Sequence, residues 1–251
     1  MIPAALGLLA GLILGSFIAA LTARWPQRQS IATGRSRCPH CSTTLAARDL
    51  VPIVSYIALK GRCRRCAAPI AMRYPLIEAL AGGIGAVALW MHPDAAGLAS
   101  AAFGWGLLAL LVLDLEHFWL PDALTLPLLA AGLALGAVLP PALTDRGIGA
   151  AAGFATLWGI AALYQRATGR TGLGGGDPKL FAAIGAWLGW ALLPFVLLLA
   201  ATLGLALVGY DRLMGVPVTR HSRVPLGALL AAAAWPLSLL NLSVAALPAI
   251  G

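Results

Sequence analysis

Apolar runs close to 20 residues long recur along this 251-residue chain, with few charges to interrupt them. About 20 apolar residues, rising 1.5 Å each, cross the hydrocarbon core of a bilayer. Hydrophobic residues make up 60% of the sequence and charged ones 10%, whereas a soluble domain carries about a quarter charged residues. Most of this chain therefore cannot form a water-facing surface, and the expected fold class is an all-α polytopic membrane protein. About eight transmembrane helices fit the runs, at roughly 3–22, 74–91, 96–114, 122–140, 147–165, 178–190, 191–209 and 224–247. Gly189-Trp190 divides the sixth from the seventh only weakly, so one bent helix over both is the other layout. The first run lacks a basic n-region and a cleavage pattern, which predicts a retained helix rather than a signal peptide.

The basic residues give an independent reading of topology. Ten of the 17 Lys and Arg lie between Arg24 and Arg73, and Lys/Arg-rich loops stay on the cytoplasmic side. With the N-terminus outside, the loops 23–73, 115–121, 166–177 and 210–223 face the cytoplasm and carry Arg166, Arg170, Arg212, Arg220 and Arg223 as well. Lys179 marks the cytoplasmic start of span six, and the outer loops hold only Arg146, beside Asp145. Topology and contact with anionic membrane lipid thus account for the net charge of +8, and no nucleic-acid partner is expected.

All four cysteines fall in the first cytoplasmic loop, as Cys38-Pro39-His40-Cys41 and Cys63-Arg64-Arg65-Cys66. Two C-x-x-C pairs at this separation resemble a zinc ribbon, in which each pair supplies two thiolates to a tetrahedral structural site. Arg37, Arg62, Arg64 and Arg65 are expected to help keep the thiols deprotonated. Disulfides or free thiols are the other readings, and a reducing cytoplasmic face argues against disulfides. Zinc would fold a loop too small to build its own core.

Ionisable residues at membrane depth are costly and point to function. Asp114 closes span three and Asp177 opens span six, after Gly174-Gly175-Gly176. Both lie toward the cytoplasmic side in the topology set by Lys and Arg. Two close carboxylates share one proton, so one can activate water while the other polarises a scissile carbonyl. Each residue also has a structural reading. Asp177 before Pro178 fits a helix N-cap, as Asp122 after Pro121 does for span four; Glu116 and His117 fit the interface.

Taken in order, the motifs resemble the bacterial type IV prepilin peptidases, a family of membrane aspartic proteases. They begin with Gly15-Ser16-Phe17, Arg24-x-Pro26, Ser36-x-Cys38-Pro39-x-Cys41 and Asp49-x-Val51-Pro52. Gly61-x-Cys63-Arg64-x-Cys66 and Arg73-Tyr74-Pro75-x-x-Glu78 follow. Asp114, Leu120-Pro121-Asp122, Gly174-x-Gly176-Asp177 and Gly185–Trp190 complete the set. The resemblance covers nearly the whole chain. It implies a bifunctional enzyme of the bacterial inner membrane, with its active site facing the cytoplasm. Such an enzyme cleaves the basic leader from prepilins or pseudopilins and N-methylates the new terminal residue with S-adenosylmethionine. The family's catalytic pair maps onto Asp114 and Asp177, and its zinc ligands onto Cys38, Cys41, Cys63 and Cys66. Ile18-Ala19-Ala20 and Pro225-Leu226-Gly227-Ala228 depart from the common family pattern. Arg24, Asp49, Arg73 and Glu78 either line the methylation site or brace the loop.

The expected organisation is a first transmembrane helix over 1–23, a zinc-binding domain linked to methylation over 24–73, and a transmembrane peptidase domain over 74–251. The competing readings are a peptidase without methylation activity, a small zinc-stabilised transporter, and a non-enzymatic assembly factor. A transporter would place its charges near mid-membrane, and an assembly factor would tolerate neutral replacements of both aspartates.

Overall fold

The computed structural model describes residues 1–29, 36–216 and 224–245. Arg35, Arg220 and Arg223, used above for topology, lie outside the described residues, as does the end of the eighth expected span. The described chain is helical, with two isolated β-bridges. It divides into two compact units, Met1–Ala109 and Leu110–Gly251.

Each expected span is a separate helix: α1 Ile2–Arg24, α3 Arg73–Met91, α4 Ala95–His117, α5 Asp122–Leu135, α6 Leu143–Thr168, α7 Asp177–Leu188, α8 Leu193–Leu213 and α9 Leu226–Ala245. A short α2, Val54–Ala58, lies in the cysteine loop. Five of the helices are long and apolar enough to cross a membrane, namely α1, α3, α4, α6 and α8. The expectation of eight full spans is thus not met by length: α5 has 14 residues and α7 has 12. At 1.5 Å per residue α7 extends about 18 Å, well short of the roughly 30 Å hydrocarbon core. Its break from α8 is built into the backbone. Gly189 has φ 77° and ψ 172°, a region open essentially to glycine alone, so one continuous bent helix is excluded.

In the first unit, α1 packs antiparallel on α3 through a glycine stripe. A Cβ at Gly7 would collide with the Gly85 carbonyl, one at Gly11 with the Ala81 carbonyl, and one at Gly15 would come 2.7 Å from the Glu78 Cα. Small residues four apart let membrane helices approach this closely. Trp105 donates its indole N–H to the Ala81 carbonyl at 2.9 Å, tying α4 to the pair.

In the second unit, α7 is the central element. It packs on α5, α6 and α9, and ten of its twelve residues are buried, which suits a short helix enclosed by protein. Arg146 fastens its far end. The sequence places this residue in an outer loop, but it lies in the first turn of α6 and is 3% exposed. Its guanidinium donates to the carbonyls of Gly132, Leu139, Pro140, Pro141 and Ala186 at 2.7–3.3 Å. It therefore serves the carbonyl-rich ends of α5 and α7 and the turn between α5 and α6, where a cation is favourable. Arg146→Met strands these acceptors, and destabilisation of about 1–3 kcal/mol for each one that stays buried without a donor is expected. A thermal or denaturant midpoint of the full chain in detergent checks this; Lys, with a single point charge, restores only part of it.

Candidate active site and metal centre

Asp114 lies in the last turn of α4, Asp177 is the first residue of α7, and the start of α9 completes the site. Both carboxylates are buried, at 5% and 7% exposure. Asp114 accepts a hydrogen bond from the Ala228 amide at 2.8 Å. Asp177 Oδ2 accepts from the Gly174 amide at 3.0 Å, which folds the glycine loop back onto the carboxylate. The Gly227 amide interacts with both aspartates, and the charge of Asp114 acts on Asp177. The fold thus brings the two residues together. Gly227 and Ala228 belong to the first turn of α9, whose amides have no partner within the helix and lie at its positive end. These amides hold the pair. The sequence reading noted Gly227-Ala228 only as a departure from the family pattern; the available signal was a Pro-Leu-Gly opening to an apolar helix.

The capping readings fare differently. Gly176, not Asp177, occupies the N-cap of α7, and the Asp177 carboxylate bonds backward to Gly174. Asp122 is the first residue of α5 with Pro121 at its N-cap. Its two carboxylate oxygens receive Lys179 Nζ at 2.7 Å each, so it joins α5 to α7 instead of capping. Leu120 fills the space beneath the pair. A Cβ added at Gly176 or at Gly227 would lie 2.7 Å from its side chain.

The metal centre is built from two matching turns in the first unit. In one, the Cys38 amide donates to the Thr43 carbonyl and the Ser42 amide to the Cys38 carbonyl. In the other, the Cys63 amide donates to Ala68 and the Ala67 amide to Cys63. Ser42 and Ala67 both have positive φ, and each turn closes on one β-bridge, Arg37 with Thr44 and Arg62 with Pro69. The four sulfurs lie within 4.8 Å of one another, and Cys38 and Cys66 are 3.7 Å apart. A tetrahedral Zn–S distance of about 2.3 Å puts sulfurs about 3.8 Å apart, so the donor set fits zinc. The Cys41 thiol is held down to about 6 by the Thr43 side chain and backbone. Backbone amides of Cys66 and Arg65 lower Cys63. Cys66 is pushed up to about 12, because desolvation and the three neighbouring sulfurs outweigh the Ala68 amide. A cation among the sulfurs would relieve that repulsion. Thr43 and backbone amides, that of Arg65 among them, thus lead in tuning these thiols, and the Arg64 side chain is bonded to Asp49 at 2.7 Å.

Arg24, Asp49 and Glu78 make contacts within or onto the loop, and Arg73 joins the start of α3 to α1. Arg24 reaches Ser36, and Asp49 holds Arg64 and the Ala46 amide. Arg73 donates to Thr22 Oγ1 and the Ala19 carbonyl and covers the Tyr74 ring. Glu78, buried in α3, accepts the Ile53 amide at 2.8 Å.

Comparison with known proteins follows the same division. Residues 9–92 match the model of the bacterial peptidase A24 N-terminal domain, and residues 101–209 match that of the type IV leader peptidase family. The chain is 43% identical over 205 residues to a prepilin leader peptidase/N-methyltransferase of Aeromonas hydrophila, covering 80% of this chain and 70% of that protein. A Burkholderia pseudomallei protein of the same name is 45% identical over 213 residues, covering 82% and 67%. The one from Dichelobacter nodosus is 38% identical over 212 residues, covering 83% and 72%. No solved structure matches the chain. With two aspartates held by one helix start, a four-sulfur centre and these relatives, the chain belongs to the type IV leader peptidase family.

Proposed function

We propose that this protein removes the basic leader of prepilins or pseudopilins with the Asp114–Asp177 pair and then N-methylates the new terminus. The observation that carries the reading is the shared hold of the α9 amides on two buried carboxylates from α4 and α7. One carboxylate takes a proton from water while the protonated one donates to the scissile carbonyl. The hydroxyl oxygen bonds to the carbonyl carbon, the C–N bond breaks, and the nitrogen leaves with a proton. The products are a leader carboxylate and a free pilin amine. S-adenosylmethionine, when bound, supplies the methyl group for that amine.

In the same reading, 1–23 is a membrane helix, 24–73 a zinc domain linked to methylation and 74–251 the peptidase. Cys38, Cys41, Cys63 and Cys66 hold zinc. The protein resides in the bacterial inner membrane, with the dyad toward the cytoplasm and the substrate helix in the lipid phase. The multi-pass character itself follows from five helices of spanning length and composition.

Incubating the full chain in lipid with a prepilin and S-adenosylmethionine tests the reading by mass spectrometry. Loss of the leader followed by one added methyl group is expected. An intact prepilin overturns the peptidase, and leader loss without methylation identifies a peptidase alone. The α9 hold gives a narrower prediction. A Cβ at Gly227 would lie 3.0 Å from Asp114 Oδ2, so Gly227→Val shifts that carboxylate. Misplacing a reacting group by about 1 Å costs roughly a hundredfold, so a loss of up to about that size in cleavage rate is expected in the same assay.

A further inference from the structure

Between the two cysteine turns the first unit exposes a run of apolar side chains. Leu50 and Val51 are exposed, and Val54 and Ile57, one turn apart on α2, are 63% and 68% exposed. Exposed Arg48, Lys60 and Arg62 border the run. Asp49, the single acid among residues 24–73, is already occupied by Arg64. With Arg64 drawn to Asp49 and Glu78 on the Ile53 amide, the three cations of the rim outnumber the acids near it.

The position of this surface along the membrane helices is fixed by one bond. Pro52–Val54 form a tight turn in which the Val54 amide donates to the Pro52 carbonyl, with Ile53 at φ 59°. The Ile53 amide donates to Glu78. Glu78 lies five residues into α3, a helix of spanning length and composition, which is about 7.5 Å along the axis from Arg73. The loop thus folds back beside α3, and its apolar run lies level with the first turns of a membrane helix.

We propose that residues 50–57 form a lipid-contact surface. Leu50, Val51, Val54 and Ile57 enter the boundary between headgroups and acyl chains, and Arg48, Lys60 and Arg62 bind anionic headgroups. Apolar side chains bordered by cations are the pattern of interfacial membrane segments, and clustered Lys and Arg favour anionic lipid. The same charge disfavours a basic leader as the occupant. The inference does not depend on the peptidase reading.

Amide exchange of the full chain in nanodiscs tests it, using phosphatidylcholine alone against an equal mixture with phosphatidylglycerol. Amides of 50–58 are expected to exchange roughly tenfold more slowly in the anionic discs, and Val54→Ser with Ile57→Ser should remove the difference. Protection of 38–45 and 63–68 in the same spectra reports that the variant loop is folded. Where that protection is lost, Lys60→Gln with Arg62→Gln takes its place and should also remove the lipid difference. Equal exchange of 50–58 in both lipids by the wild type overturns the proposal. So does protection that arises only when a prepilin is added, which would assign the surface to substrate.

Discussion

With Cys38, Cys41, Cys63 and Cys66 proposed as zinc ligands, stripping the metal is expected to unfold the 36–70 segment while α1 and α3 persist. Beyond the sulfurs the segment is held by a few polar contacts, among them Ile53 to Glu78 and Arg64 to Asp49. Its one helix is five residues long, and of the four cysteines only Cys38 and Cys63 are buried. The turns that carry the sulfurs rest on a few backbone bonds and one bridge each. In small sites of this kind metal binding supplies about 10–16 kcal/mol, which is the folding free energy itself. A strong chelator, or Cys38→Ser with Cys63→Ser, should release one zinc per chain and raise amide exchange over 38–68 to that of an open chain. The α1–α3 packing, set by glycines against backbone, should keep its protection. A metal-free protein whose cysteine turns remain protected would mean that backbone bonds suffice and that the sulfurs are not a structural zinc site.

Asp114→Asn and Asp177→Asn each lower prepilin cleavage by at least about a thousandfold, within the range for loss of a general acid or base. The substitution separates chemistry from structure because asparagine keeps the size and an acceptor oxygen. At position 114 that oxygen can still take the Ala228 amide, and at 177 the Gly174 amide. What disappears is the exchangeable proton. Unfolding midpoints close to wild type alongside lost cleavage would assign both residues to the reaction.

Much of this site is legible in the sequence because membranes make charges conspicuous. Asp114 and Asp177 stand out against apolar surroundings, and two C-x-x-C pairs allow few alternatives to a four-sulfur centre. The rest depends on contacts between distant parts of the chain. The bond from Ala228 to Asp114 spans 114 residues, and nothing in the local pattern at Gly227 announces it. Arg146 reads as a loop cation because hydropathy has no way to see five carbonyls waiting at the ends of α5 and α7 and in the turn between α5 and α6. The length of α7 is hidden for a related reason. Its apolar residues run on into those of α8, and the break rests on the conformation of one glycine. Asp122 looks like a cap until Lys179, 57 residues away, is found on it.

The central claim is that Asp114 and Asp177 work as one device, and the most direct test compares each Asn variant with the double variant. Groups that act as a unit are grossly non-additive when removed. Single-turnover cleavage of a prepilin by the full chain in lipid should fall as far in either single variant as in the double. Losses that multiply, or a single variant that cleaves at the wild-type rate, would contradict a shared dyad and return at least one aspartate to a structural role.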